Sequence, residues 1–195
     1  MGMFMQFDSL LDTGNQEDMD DQLKSNFISF LKTEKMNNRT LDFKKVFADL
    51  EPLAYSHALI VLNKRQIVKK MLKYLKPESQ LAGALATSDS VIKGKILELV
   101  IALIKDLRAD IYGEFVELVM PAVIAIIDVQ NFGLLDGIFS LFSFSFKFLL
   151  KPIRDDIANF YEVFQELIVH KNRHLRHFAA QSFSYIVRKI QMVDQ

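Results

Sequence analysis

The sequence predicts an all-α protein in which about eight helices stack in pairs as an α-solenoid. Three observations predict this fold: apolar residues recur at spacings of three and four, helix breakers occur where that pattern pauses, and a spacing of about 42 residues repeats. A chain of 195 residues that is 50% hydrophobic is long enough to bury one sizeable core. We therefore expect one helical domain with little or no β-structure.

The helices are separated by short segments rich in capping and breaking residues. These segments are Asn-Asn-Arg-Thr (37–40), Lys-Pro-Glu-Ser (76–79), Thr-Ser-Asp-Ser (87–90) and Lys-Pro (151–152). Pro121 lies within one predicted helix, which it should bend or split. The predicted helices are residues 22–35, 41–55, 58–75, 90–107, 111–129, 132–150, 153–170 and 173–192. Residues 1–21 form a predicted flexible, acidic segment, and residues 22–195 form the helical domain.

The repeat relates apolar positions in different helices. A shift of 42 residues places Ile111, Phe115, Leu118 and Ala122 onto Ile153, Ile157, Phe160 and Phe164, and Leu97, Val100 and Ile104 onto Phe139, Phe142 and Phe146. A further shift of about 41 places Leu134 onto Leu175. Two helices in roughly 40 to 47 residues is the repeat length of HEAT and armadillo arrays. The helix predicted at 132–150 is apolar on nearly every side, as a central element of such a stack would be. A compact helical bundle is the alternative architecture.

Composition excludes several classes of function. The 24 basic and 24 acidic residues balance, so any charged surface must be local. Six acids and no base lie between residues 8 and 21, whereas five Lys or Arg, two His and no acid lie between residues 171 and 189. The absence of Cys excludes disulfides and thiolate chemistry. The apolar stretch 137–150 contains Lys147 and falls short of the roughly 20 residues that span a bilayer, so it predicts a buried helix and no membrane partner.

No motif predicts an enzyme, and no catalytic residue, metal ligand or cofactor site is assigned. Glycine-rich phosphate loops and the nucleophile elbow are absent from the sequence. His170, His174 and His177 have a spacing that could ligate zinc on one continuous helix, but a predicted break near Asn172 separates the first from the others. Asp155 and Asp156 are adjacent and diverge by about 100°, so they predict acids in the first turn of a helix and not an acid–base pair.

The last predicted helix combines a packing face with a basic face. Leu175, Phe178, Ala179, Ser182, Ile186 and Ile190 share one side of a helical wheel, and Arg173, Arg176, His177 and Arg188 lie opposite. Packing explains the apolar side, and Ala179 and Ser182 allow a neighbouring helix to approach closely. Solvated charge is one interpretation of the basic side. Arg173, Arg176 and Arg188 are the candidate contacts with RNA or a partner.

The same helix resembles known repeat proteins. Its pattern Leu175-Arg176-x-x-Ala179-Ala180 resembles a HEAT-repeat helix, and "HKNRHLRHFAAQSFSYIVRK" is similar to the N-terminal region of the small-subunit processome component 20 family, also called the down-regulated-in-metastasis proteins. The stretches "IKDLRADIYGEFVEL" and "FKFLLKPIRDDI" resemble upstream segments of that family in the same order. The resemblance spans residues 90–190. Departures from the family pattern occur at Ile111, Ser143, Ser145 and Pro152, and they concern packing.

The resemblance implies a function without catalysis. Members of that family are very large helical-repeat proteins of the nucleolus that associate with the U3 small nucleolar ribonucleoprotein and support processing of the 18S ribosomal RNA precursor. The implied partners are other processome proteins, possible pre-ribosomal or U3 RNA, and further helical repeats of the same larger chain, with no small-molecule substrate. If the chain is part of such an array, we expect the last helix to expose apolar surface at the C-terminal end. We also expect an isolated fragment to self-associate. An importin-like adaptor that binds peptides and not RNA is the alternative function.

Overall fold

The regular structure is helical throughout the described part of the chain. The computed structural model describes residues 25–37, 41–75, 86–127 and 131–193, and all elements assigned there are helices. The predicted all-α class is confirmed. The acidic segment 1–21 lies outside the described residues, as does the predicted start of the first helix at residue 22. Within the described residues, no helix is both long enough and apolar enough to cross a membrane.

The first three helices agree with the predicted positions to within a few residues. They are α1 (Asn26–Asn37), α2 (Leu41–Leu50), which continues into a 3-10 turn (Glu51–Leu53), and α3 (His57–Lys73). Ser56 begins α3 as its N-cap, because its hydroxyl oxygen accepts a hydrogen bond from the Leu59 amide at 3.3 Å.

The next part of the chain is more segmented than the predicted helices 90–107 and 111–129. Helix α4 (Ala86–Leu107) begins four residues earlier than predicted. A 3-10 turn (Arg108–Ile111), the short α5 (Tyr112–Glu114), a π-helical segment (Phe115–Val119) and α6 (Met120–Ala125) follow. The Met120 amide donates five residues back to the Phe115 carbonyl. This wider turn directly precedes Pro121, the second residue of α6, which has no N–H to continue the helical hydrogen-bond pattern.

The last four helices are α7 (Phe132–Phe148), α8 (Leu150–Asp155), α9 (Ile157–Ile168) and α10 (Arg173–Val193). Asn131 caps α7 by accepting from the Leu134 amide at 3.1 Å. The prediction of one continuous helix over 153–170 is wrong. That helix is interrupted at Asp156, whose backbone leaves the helical region with φ −134° and ψ 40°. Pro152 is accommodated because it lies in the first turn of α8.

Several helices pack on partners that are distant in the chain, in addition to their sequence neighbours. Helix α4 packs on α1 and, most extensively, on α7, whereas α3 packs on α5 and the π segment and α6 packs on α9. Helices α4 and α7 approach closely at Gly137, where an added Cβ would lie 3.0 Å from Cδ1 of the buried Leu97. Phe139 of α7 stacks on Phe178 of α10 with ring centroids 4.3 Å apart.

The core is built largely from phenylalanine. Phe142, Phe146, Phe160 and Phe164 are fully buried and meet in edge-to-face and stacked pairs with centroids 5.2 to 6.1 Å apart. Such pairs add roughly 0.5–1.5 kcal/mol each beyond the burial of their area. The predicted apolar face of α10 is buried at Leu175, Phe178, Ala179, Ser182 and Ile186. The phenylalanine rings and the buried face of α10 therefore join α7, α9 and α10 in one core.

Candidate functional site

The basic face of α10 is exposed, but its arginines are not all free to meet a ligand. Arg173, Arg176 and Arg188 are all solvent-exposed. Nη1 of Arg176 donates to the carbonyl oxygens of His170 and Lys171, each at 2.8 Å, and so holds the turn between α9 and α10. Nε of Arg188 donates to the Ser184 carbonyl at 3.3 Å, within its own helix.

The three arginines do not form one compact site. Arg173 and Arg176 are one helical turn apart, whereas Arg188 lies 12 residues beyond Arg176, or about 18 Å along a helix axis. Asn172 caps this helix, because its Oδ1 accepts from the amides of His174 at 2.8 Å and Leu175 at 3.4 Å. The face could therefore contact an extended polyanion, but it does not surround a small anion.

The histidines do not converge. His170 lies in the turn before α10, where its Nδ1 accepts from the Asn172 amide at 3.1 Å, and His174 and His177 are exposed on the helix. Among the residues that the structure describes, no three His, Asp or Glu side chains are placed to share a metal ion.

The adjacent acids Asp155 and Asp156 have separate structural contacts. Asp155 pairs with Arg154 at 3.0 Å. Oδ2 of Asp156 accepts from the Tyr112 hydroxyl at 3.2 Å and from Nδ2 of Asn159 at 3.0 Å. Burial, together with the negative charge of Asp156, raises the pKa of Tyr112 above its ordinary range. Asp156 thus ties α5 to the break between α8 and α9, which explains why that helix is interrupted.

Asp106, near the end of α4, caps the start of α1 across the helix interface. Its carboxylate accepts from the Ser25 hydroxyl at 2.6 Å, from the Asn26 amide and side chain at 2.8 Å each, and from the Phe27 amide at 3.0 Å. Sequence reasoning missed this contact. The available signal was an acid in the last turn of a helix, where the helix dipole disfavours negative charge, so a compensating partner was to be expected.

Ion pairs join α3 and α1 to their neighbours. Lys64 lies 3.6 Å from the nearly buried Glu114, and Arg65 lies 3.0 Å from Glu117. Lys95 of α4 meets Glu34 of α1 and Glu98, each at 3.1 Å. Burial opposes the charged form of Lys95, but hydrogen bonds to the two carboxylates outweigh it and raise its pKa. Three of these pairs link helices that are distant in sequence, whereas Lys95–Glu98 lies within α4.

The end of α3 is tied to α2 through Asp49. Oδ2 of Asp49 accepts from the Tyr74 hydroxyl at 2.7 Å, and Lys70 and Lys73 lie 3.7 and 4.0 Å away. The Tyr74 hydrogen bond, more than the two lysines, lowers the pKa of Asp49, although burial opposes it. Burial and this same bond raise the pKa of Tyr74.

A second basic surface lies where α4 and α7 end. We call it the cation–aromatic cluster; it comprises Lys105, Arg108, Phe144, Lys147 and Phe148. The two phenylalanine rings are nearly parallel, with centroids 6.2 Å apart. Nζ of Lys105 lies 4.5 Å from the Phe144 ring, and Arg108 and Lys147 lie 5.7 and 5.5 Å from the Phe148 ring. The sequence predicts a central, buried helix at 132–150, and this surface was therefore missed.

Arg108 is held in an unfavourable backbone conformation. Its φ of +48° is the only positive φ of a non-glycine residue in the described part of the chain. For an L-residue other than glycine this conformation costs roughly 1–2 kcal/mol. An exposed cation–π contact returns only about 0.5–1 kcal/mol. The contact with Phe148 therefore does not fully offset the backbone cost.

A cavity of about 390 Å³ lies between the ends of α3 and α6. Its lining is largely apolar, with two lysines, and consists of Lys69, Leu72, Lys73, Leu75, Ala122, Ala125 and Ile126. The apolar floor of the cavity thus lies beside two ammonium groups, of which Lys73 is also 4.0 Å from Asp49.

A scan of protein-family models finds none that matches this sequence.

Proposed function

We propose that this chain is a HEAT-like segment of a non-catalytic scaffold in the small-subunit processome. The observation that carries the proposal is the order of helix contacts. Helix α4 packs between α1 and α7, α7 meets α10 through Phe139 and Phe178, and α6 packs on α9. The pairs α4–α7, α6–α9 and α7–α10 are each about one repeat apart in sequence, a separation that favours a stacked array over a bundle closed around one axis.

The environment of the HEAT-like motif in α10 supports the proposal. The apolar motif positions Leu175, Ala179 and Ile186 are buried. The motif arginine, Arg176, bonds the carbonyl groups of the preceding turn and so closes one helix against the next. The step from array to ribosome biogenesis, and to the nucleus and nucleolus, depends on the resemblance of residues 90–190 to the processome family.

Further repeats of a larger chain are proposed to cover part of α9 and α10. Tyr161 and Val187 are 41% and 36% exposed, and the Tyr161 ring contacts that of the half-buried Phe183, with centroids 5.4 Å apart. An added helix pair would bury this apolar surface. Size-exclusion chromatography with light scattering tests this idea: we expect concentration-dependent self-association that weakens in Val187→Glu. A monomer at every concentration contradicts the proposed packing surface.

The contact of α10 with RNA is tested by charge reversal. Because Arg176 holds the turn before α10, the informative variant is Arg173→Glu/Arg188→Glu, which leaves that turn intact. Its matched control is Lys32→Glu/Lys44→Glu, with the same charge change at exposed sites on α1 and α2. We expect salt-dependent binding of a labelled ribosomal precursor RNA fragment that is lost in the arginine variant and largely kept in the control. Equal losses in both variants contradict a specific contact.

A peptide-binding adaptor is the second candidate, and the cavity beside Lys69 and Lys73 favours it. An adaptor would capture acidic peptides there. Peptide binding that is abolished by Ala125→Phe, in a protein that binds no RNA, would replace the scaffold proposal with the adaptor.

A further inference from the structure

The cation–aromatic cluster has a feature that fold stability does not explain. Lys105 and Lys147 lie in the last turns of α4 and α7, where the helix dipole favours cations. Arg108 follows α4 in a left-handed conformation in which glycine is less strained. Strained residues that persist in folded proteins concentrate at binding sites. The arginine side chain at this position therefore calls for a role beyond packing.

Two cations of the cluster, Lys105 and Arg108, have no carboxylate partner within the described part of the chain. The nearest acid in sequence, Asp106, is occupied by the start of α1. Arg108 and Lys147 are exposed, and the Phe144 and Phe148 rings are partly exposed beneath the cations. Contact with the rings holds the long cationic side chains near one another before any ligand arrives.

We propose that the cation–aromatic cluster binds single-stranded nucleic acid. A strand with unpaired bases carries repeated phosphates, which can contact the ammonium groups of Lys105 and Lys147. Its bases present flat faces that can stack on the planar guanidinium of Arg108 and on the partly exposed phenylalanine rings. A duplex offers the phosphates but keeps its bases paired and stacked. The alternation of cations and aromatic rings therefore favours the single-stranded form.

This inference rests on the proposed function only for the presence of RNA close to the protein. The cation–aromatic cluster is a surface separate from the α10 arginines. RNA binding at one surface can therefore be disproved without affecting the proposal for the other.

Fluorescence anisotropy with a labelled 12-mer of oligouridine tests the cluster directly. We expect Lys105→Gln/Arg108→Gln to weaken binding by about tenfold or more, since charge-assisted contacts are lost. The slope of log affinity against log salt should become shallower by about 0.7, because the variant removes the phosphate contact of Lys105 and each such contact on a single strand contributes about 0.7. The matched control is Lys32→Gln/Lys44→Gln, which removes two exposed charges elsewhere and should bind as the parent does.

Two further variants separate binding from folding. Arg108→Gly relieves the strained backbone, so we expect a melting temperature at least equal to the parent's together with weaker binding. Phe148→Leu should reduce the preference for oligouridine over a 12-base-pair duplex while the chain stays folded by circular dichroism. A duplex bound as tightly as the single strand by the parent protein would overturn the proposal.

Comparison with the α10 variant completes the test. If Lys105→Gln/Arg108→Gln binds oligouridine normally while Arg173→Glu/Arg188→Glu does not, the cluster is not the site and the α10 contact of the proposed function stands. The opposite result supports the cluster and shows that the α10 arginines do not bind oligouridine.

Discussion

Replacing Asp106 with alanine should loosen α1 from the rest of the protein. The carboxylate accepts four hydrogen bonds from residues 25–27, at 2.6 to 3.0 Å, and two of them come from backbone amides in the first turn of α1. Loss of an N-cap interaction costs about 0.5–2 kcal/mol, and loss of the negative charge at a helix N-terminus costs about 0.3–1 kcal/mol. Water can reach the exposed Asn26 donors, so we expect a total loss of about 2 kcal/mol in the free energy of unfolding.

Urea denaturation followed by circular dichroism measures this loss. For a chain of this length, about 2 kcal/mol corresponds to a fall in melting temperature of roughly 4–8 °C. Asp106→Asn keeps one acceptor oxygen but loses the charge, so it should lose about half as much. The control is Asp136→Ala, which removes an exposed acid on α7 and should change stability by less than about 0.5 kcal/mol.

Hydrogen exchange locates the effect. Amides of α1 should lose protection in Asp106→Ala, whereas those of α7 should change little. Equal stability of Asp106→Ala and Asp136→Ala, with unchanged protection in α1, would refute the capping role.

Three further predictions concern helix packing and pH. Gly137→Ala should be about 1–2 kcal/mol less stable than Gly94→Ala, because its new Cβ lies 3.0 Å from buried Leu97 whereas Gly94 has no atom within 4 Å; equal melting temperatures contradict close packing of α4 on α7. Ser182→Ala should stabilise the protein by about 1 kcal/mol, because the buried Ser182 hydroxyl has no hydrogen-bond partner; a lower melting temperature shows that it has one. Tyr74→Phe should reduce stability most at neutral pH. The lowered pKa of Asp49 contributes stability above its unfolded value of about 3.9, and this contribution disappears as pH falls through the lower folded-state pKa. The difference in melting temperature from the parent should therefore narrow between pH 7 and pH 2.5, and a constant difference contradicts the Asp49 contact.

Most helix positions could be predicted from the sequence, because apolar spacing and capping residues act over only a few residues. Because the helix around Phe142 is apolar on nearly every side, the sequence also predicted that other helices would cover it on several sides. Phe142 is fully buried. Ser88 and Asp89 were interpreted as a break before a helix starting at residue 90, but α4 already includes them. Short polar side chains suit the first turn of a helix as well as the position before it.

Features that depend on tertiary contacts could not be predicted. The break at Asp156 is stabilised by Tyr112, which is 44 residues away in sequence. A helical wheel correctly placed Arg176 opposite the apolar face, but it reports only the direction from the axis. It does not show that a long side chain turns back to the carbonyl groups of residues 170 and 171. The cation–aromatic cluster was missed for a related reason, since it joins the ends of two helices about 40 residues apart.

The most direct test of the proposed scaffold function is recovery of U3 RNA with the intact protein. The natural full-length protein is tagged and purified under conditions that preserve pre-ribosomal particles, and U3 RNA is quantified against an unrelated small nucleolar RNA. If the proposed scaffold function is correct, we expect strong enrichment of U3 RNA over that control. Recovery of both RNAs at background level would contradict a role in the small-subunit processome.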